Sequence, residues 1–198
     1  MYNAEIGILE GQLAAREIAN LLQLSEQIKQ SVSKRIETTI SIWEVMFSDL
    51  NDFYTEESAE TVSDLINFVA PPKSLSLEKF WVVESSYENV DASKLPFLPH
   101  FDIERTTKIM VYLSDVDIND GPMFIAKNVS PTQFEKRRCG ATLKGQNVVT
   151  NTNLIFEPLI GPAGHFHVFD TNIPHYAGNP GKGGSRRVVR LDFVHPRQ

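Results

Sequence analysis

The chain is short of cysteine, short of positive charge, and free of any long apolar run. One cysteine, Cys139, stands among 198 residues, so no disulfide and no thiolate cluster can form within one chain. No histidine lies near it in sequence to activate it, and a structural thiol in a reducing compartment is the expected role. No apolar stretch approaches the ~20 residues of a membrane span. The N-terminus has no charged lead followed by an apolar core. The expectation is a soluble, unsecreted, cytoplasmic protein with no membrane partner. Lys and Arg number 19 against 25 Asp and Glu, for a net charge of −6 and a pI near 5.4, which excludes the basic footprint of a general nucleic-acid binder. The local run Lys136-Arg137-Arg138 reads as a solvated face.

What is present is ordinary for a globular protein: 41% hydrophobic and 22% charged residues, in a length that suits one domain with a sizeable core. Residues 12 to 34 carry Ile18, Leu21, Leu22, Ile28 and Val32 at helical spacing. A second helix is expected at 56 to 69, capped by Thr55, opened by Glu56 and Glu57, and stopped by Pro71-Pro72. Its inner face is Val62, Leu65, Ile66 and Val69. The segment from Ile36 to Phe53 is ambiguous between helix and strand.

From Leu77 onward strands dominate: 80–85, 97–103, 108–113, 123–126, 148–156, 166–170 and 187–194. Short strands with Gly/Pro turns point to a mainly β fold with N-terminal helices, a double-stranded β-helix of the jelly-roll or cupin-like kind. The chain divides as one domain, 1–198. Residues 1–77 form a helical N-terminal part packed on the barrel, and 78–195 the jelly-roll core.

The chemistry concentrates in Pro99-His100-Phe101-Asp102. On a strand, residues two apart project to the same side, so His100 and Asp102 can bind one ion together, with His175 arriving from elsewhere in the fold. Two imidazoles and one carboxylate on one face of a metal leave the opposite positions open, the ligand set expected of non-haem Fe(II) oxygenases. After Ile173-Pro174-His175 a loop rich in glycine and proline, Tyr176 to Ser185, feeds the strand Arg186-Arg187-Val188-Val189-Arg190. Arginine is the side chain best suited to grip a carboxylate by two parallel hydrogen bonds. Side chains alternate on a strand, so Arg186 and Arg187 cannot both face the iron.

On these residues the chain resembles 2-oxoglutarate/Fe(II)-dependent oxygenases, with their pattern of His-x-Asp, a long gap, a distal His and an Arg one strand start further on. His100, Asp102, His175 and Arg186 match it. The stretch Lys108 to Ile125, with its acidic turn and Gly121-Pro122, and the glycine-led Gly164 to Asp170 also match. The pattern is nearest the phytanoyl-CoA dioxygenase-like branch. Tyr112-Leu113 and Gly184-Ser185-Arg186 resemble the prolyl-hydroxylase-like branch, which stands second. Lys127-Asn128-Val129-Ser130-Pro131 departs from the turn many relatives have there. Halogenating relatives lack the carboxylate ligand, which this chain keeps as Asp102.

The resemblance implies Fe(II) held by His100, Asp102 and His175, 2-oxoglutarate anchored by Arg186, and O2 as second co-substrate. The implied reaction hydroxylates a small-molecule or peptide substrate and releases succinate and CO2. The alternative is a cupin-like metal- or small-molecule-binding module without oxygenase activity. His165 and His167 share a strand face but lack a nearby glutamate, and read as structural or substrate-facing. His195 reads as a strand-end residue. Gly181-Lys182-Gly183-Gly184-Ser185 fails the P-loop spacing and reads as a turn.

Overall fold

The computed structural model describes residues 8–37, 40–69, 75–87, 93, 95–127, 129–141, 143, 145–150 and 153–196. Among these residues ten strands and three α-helices follow one another: β1 (Ile8–Gln12), α1 (Ala15–Ser31), β2 (Arg35–Glu37), β3 (Ile40–Met46), α2 (Glu56–Val69), β4 (Ser76–Ser86), β5 (Thr106–Tyr112), β6 (Met123–Ala126), α3 (Glu135–Cys139), β7 (Phe156–Leu159), β8 (His165–Asp170), β9 (His175–Ala177) and β10 (Ser185–Val194). An antiparallel seven-stranded sheet in the order β1-β8-β5-β10-β4-β3-β2 faces a three-stranded sheet, β7-β6-β9. This is the double-stranded β-helix expected from the strand pattern.

Two cores lie on the two faces of the large sheet. Ile109 and Val111 of β5, Val189 and Leu191 of β10, and Phe166 and Val168 of β8 point outward onto Leu21, Leu24 and Ile28 of α1 and Val62 and Leu65 of α2. Their alternates Met110, Tyr112, Val188 and Phe169 point inward, toward Ile125, Ala126 and Leu159 of the small sheet. A strand covered on both faces loses the apolar/polar alternation that marks a half-exposed one, which is why β3 was ambiguous in sequence. Ile40 and Ile42 face the inner cavity, while Trp43 and Val45 join the helical core.

Helix α1 begins where the Glu17 carboxylate accepts the Ala14 N–H at 2.6 Å. In α2 the Thr55 hydroxyl accepts the Ser58 N–H at 3.2 Å, the cap expected of it. Pro71 and Pro72, read as its stop, lie outside the described residues.

Three expectations need correction. The N-terminal part is not only helical, since β1, β2 and β3 belong to the large sheet. Residues 97 to 103 form no strand; His100 alone makes bridges, to Val148 and His175, because Pro96 and Pro99 supply no N–H to a ladder. Among the described residues of the expected strand 148–156, Val148 makes a single bridge and Asn153 sits in a turn before β7 begins at Phe156.

Leu24 is fully buried between α1 and the sheet. Leu24→Ala should cost about 2–5 kcal/mol of unfolding free energy, read as a lower urea midpoint with unchanged slope.

Candidate metal centre

The segment 99–102 is held from both sides by backbone. His100 N–H donates to the His175 carbonyl at 2.9 Å, and His175 N–H donates back to the His100 carbonyl at 2.8 Å. Asp102 N–H donates to Thr171 O at 3.0 Å. The Asn147 amide donates to Phe101 O at 2.8 Å. Phe101 is fully buried in the inter-sheet core, so its neighbours His100 and Asp102 are turned together to the other side. The alternation argued for a strand therefore holds here without one.

Each imidazole is oriented by its own backbone. Nδ1 of His100 lies 2.7 Å from Leu98 O, and Nδ1 of His175 lies 2.8 Å from Ile173 O. A carbonyl can only accept, so Nδ1 carries the proton and Nε2 keeps its lone pair, the arrangement usual in metal-ligating histidines. Both Nε2 atoms converge on one oxygen, Asp102 Oδ1, at 3.7 Å from His100 and 3.6 Å from His175. The three ligand atoms lie within 4.8 Å of one another. This donor set and its lone-pair directions fit a divalent iron-class ion, with one face left for other ligands.

Burial first, with the charges of His100 and Lys108, pushes the His175 imidazole down to about 3, against the pull of Asp102. It is neutral near neutral pH, as a ligand must be. Burial pushes the Asp102 carboxyl up, but the charge of Lys108, then those of His175 and His100, outweighs this and holds it below the ordinary range.

Lys108 is a site residue that the sequence reading passed over. Its ammonium sits 2.6 Å from Asp102 Oδ2, leaving Oδ1 for the histidine pair. The available signal was its isolation: it is the one charged residue between Thr106 and Leu113, and in phase with Met110 and Tyr112.

The triad opens on a cavity of about 500 Å³ whose lining includes Lys108, Met110, Arg186, Val188 and Arg190. A second depression, about 530 Å³, touches Arg186 and Arg187 on the far side of the β10 entrance but none of the histidines. The first is the one lined by His100, Asp102 and His175.

Arg186 and Arg190 both face the triad cavity, whereas Arg187 points the other way, its Nε 3.0 Å from Glu84 of β4. Arg186 is buried, donates to the Gly121 carbonyl, and keeps its Nε without a partner among the described residues. Gly121 has φ +68°, and a Cβ there would lie 2.6 Å from Gly178 O, so only glycine lets this turn close over the arginine. The Gly181–Ser185 loop is a brace rather than a phosphate cradle, since Gly181 N–H donates to Asn119 O at 2.7 Å and Ser185 N–H to Asp120 Oδ1 at 3.1 Å. Arg190 makes a two-bond pair with Asp192 and stacks 3.9 Å from the Trp81 ring.

No protein-family model and no curated protein matches the chain. Solved structures do. SnoN, an epimerase crystallised with Fe3+, alpha ketoglutarate and nogalamycin RO, aligns with TM-score 0.68 and 16% identity over 96% of this chain and 80% of its own. The alpha-ketoglutarate-dependent carbocyclase SnoK aligns with TM-score 0.63 and 11% identity over the same shares. HygX from Streptomyces hygroscopicus, with nickel and 2-oxoglutarate bound, gives 0.61 and 14% over 96% and 83%. The fold is the one these enzymes share.

In the unfolded chain His175 takes up a proton near pH 6.5; in the folded, metal-free protein it does so only near 3. Between these values the unfolded state binds more protons, so this contribution to stability is complete above about pH 6.5 and is lost as pH falls, by up to about 1.4 kcal/mol per pH unit. His175→Gln should flatten the acid-side slope by about one proton's worth in urea titrations of metal-free protein. An unchanged slope would show that His175 titrates normally.

Proposed function

We propose that the protein is a non-haem Fe(II)- and 2-oxoglutarate-dependent oxygenase acting on a small-molecule substrate, with His100, Asp102 and His175 as the iron ligands and Arg186 as the co-substrate anchor. The observation that carries the reading is the convergence of two imidazole Nε2 atoms on one carboxylate oxygen, each ring fixed through its Nδ1. Bound iron with 2-oxoglutarate supplies an oxidant from O2, so that substrate R–H, 2-oxoglutarate and O2 give R–OH, succinate and CO2.

The chain's own residues bind, orient and shield. Lys108 holds Asp102 through its second oxygen, fixing the carboxylate rotamer and keeping it ionised. Arg186 offers a buried charge in the cavity wall, where a distal carboxylate could accept two bonds. Tyr112, whose hydroxyl donates to Leu159 O, is close enough to feel the Arg186 charge and keeps its proton, burial pushing it up to about 12. Met110, Met123 and Val188 supply an apolar wall beside the triad.

Arg186 lies eleven positions past His175, the placement that the resemblance to 2-oxoglutarate/Fe(II)-dependent oxygenases implies, and within this reading we place the chain nearest the phytanoyl-CoA dioxygenase-like branch. Neighbours crystallised with nogalamycin RO and with hygromycin B support a small molecule over a peptide. No helix among the described residues is long and apolar enough to cross a membrane. The lone cysteine, exposed, suits the reducing cytoplasm that ferrous iron would need.

Asp102→Ala should lower Fe(II) affinity sharply in anaerobic calorimetry while leaving a folded protein, and undiminished binding would remove it from the ligand set. Arg186→Ala should raise the 2-oxoglutarate requirement of succinate release at least about 30-fold, the equivalent of about 2 kcal/mol or more, with no full rescue by lysine. Arg187→Ala should change it less than about threefold, its partner being a rim carboxylate. The opposite ranking would overturn the anchor.

A further inference from the structure

A second cluster of ligand-type side chains stands at the other edge of the large sheet. His165 and His167 alternate with Phe166 and Val168 on β8, and so share its inner face. Strand β1 pairs antiparallel with β8 and sets Glu10 directly opposite His167. The glutamate that the His165-x-His167 pair lacks in sequence thus arrives from the far end of the chain. Glu10 Oε1 lies 3.4 Å from His167 Nδ1, and Glu10 Oε2 lies 3.8 Å from His165 Nε2. The two rings are 4.6 Å apart, and one ligand atom from each of the three residues falls within a 4.8 Å set.

Two features separate this cluster from an ordinary surface ion pair. His167 is 1% exposed, and neither of its ring nitrogens has a hydrogen-bond partner among the described residues. Burying both without compensation costs free energy that native proteins seldom leave unrecovered. The His165 ring, in turn, packs against Gly161, where a Cβ would come 1.9 Å from its Nδ1. That packing directs Nε2 toward Glu10. Burial, then the charge of His165, pushes His167 down to about 3, so its ring is neutral and gains no charge attraction from Glu10.

The distances suit a tetrahedral ion. Zinc–nitrogen and zinc–oxygen bonds of about 2.0–2.2 Å place neighbouring ligand atoms roughly 3.4 Å apart on a tetrahedron. We propose that Glu10, His165 and His167 form a second metal site, for a zinc-class divalent ion with three protein ligands and a fourth position open to solvent beside the exposed Glu10. It is separate from the triad: fully buried Phe169, two positions along β8 from His167, packs on the His175 ring at 5.4 Å. The ion ties edge strand β1 to β8 and satisfies the orphaned imidazole.

The test is Zn(II) binding to the metal-free full chain by calorimetry. The wild-type protein should bind two equivalents, and Glu10→Gln should bind one of them at least about tenfold more weakly. A His100→Ala/Asp102→Ala protein, stripped of the first site, should keep one equivalent and melt higher with Zn(II) than without. In that background Glu10→Gln should weaken the remaining site at least about tenfold and His165→Ala should abolish it. Absence of saturable Zn(II) binding in the background protein, or binding unchanged within about threefold by both further substitutions, would overturn the site. Glu10 is exposed and its loss breaks no packing, so a null result from Glu10→Gln cannot be ascribed to misfolding.

Discussion

The centre of this molecule depends on one reciprocal pair of backbone hydrogen bonds, between His100 and His175 at 2.9 and 2.8 Å. These residues are far apart in sequence, and neither the 97–103 segment nor the short strand β9 has a ladder long enough to place them alone. The pair fixes the two imidazoles side by side, rings 4.7 Å apart. Everything that follows adjusts that geometry: carbonyls that set each tautomer, Phe101 that anchors the segment in the core, and Asn147 that caps its carbonyl.

Charge is arranged against the trend of the chain. The protein carries a net −6, yet Lys108, Arg186 and Arg190 line the triad cavity together. Lys108 and Arg190 are each matched by an aspartate, Asp102 and Asp192. Arg186 has a carbonyl and an idle Nε instead, a buried positive charge that the dicarboxylate of the proposed reaction would match. An unpaired buried guanidinium is costly in a resting protein, and such a cost is retained where a ligand recovers it.

Much of this was legible in the chain. The alternation of Arg186, Val188 and Arg190 against Arg187, Val189 and Leu191 gave the correct face for each arginine, because a pleated strand has a period of two wherever it lies. The helical stripes of α1 and α2 were equally plain. Harder to see was anything supplied by distant backbone. The segment 97–103 carries one bridge residue between bends, since Pro99 within it and Pro96 before it supply no N–H to a ladder. Strand β3 hid because both its faces are covered, and β2 because it is a three-residue, largely exposed edge. Lys108 hid inside an apolar run, and Glu10 meets His167 only through the pairing of β1 with β8, which no local pattern announces.

The central claim is that one site holds metal and 2-oxoglutarate together, and the anaerobic melting temperature of the metal-free chain tests it most directly. Mn(II) or Fe(II) should raise it, 2-oxoglutarate with metal should raise it further, and 2-oxoglutarate alone should leave it unchanged, because a ligand stabilises only the state that binds it. A shift from 2-oxoglutarate that ignores the metal, or none with metal present, would contradict the account.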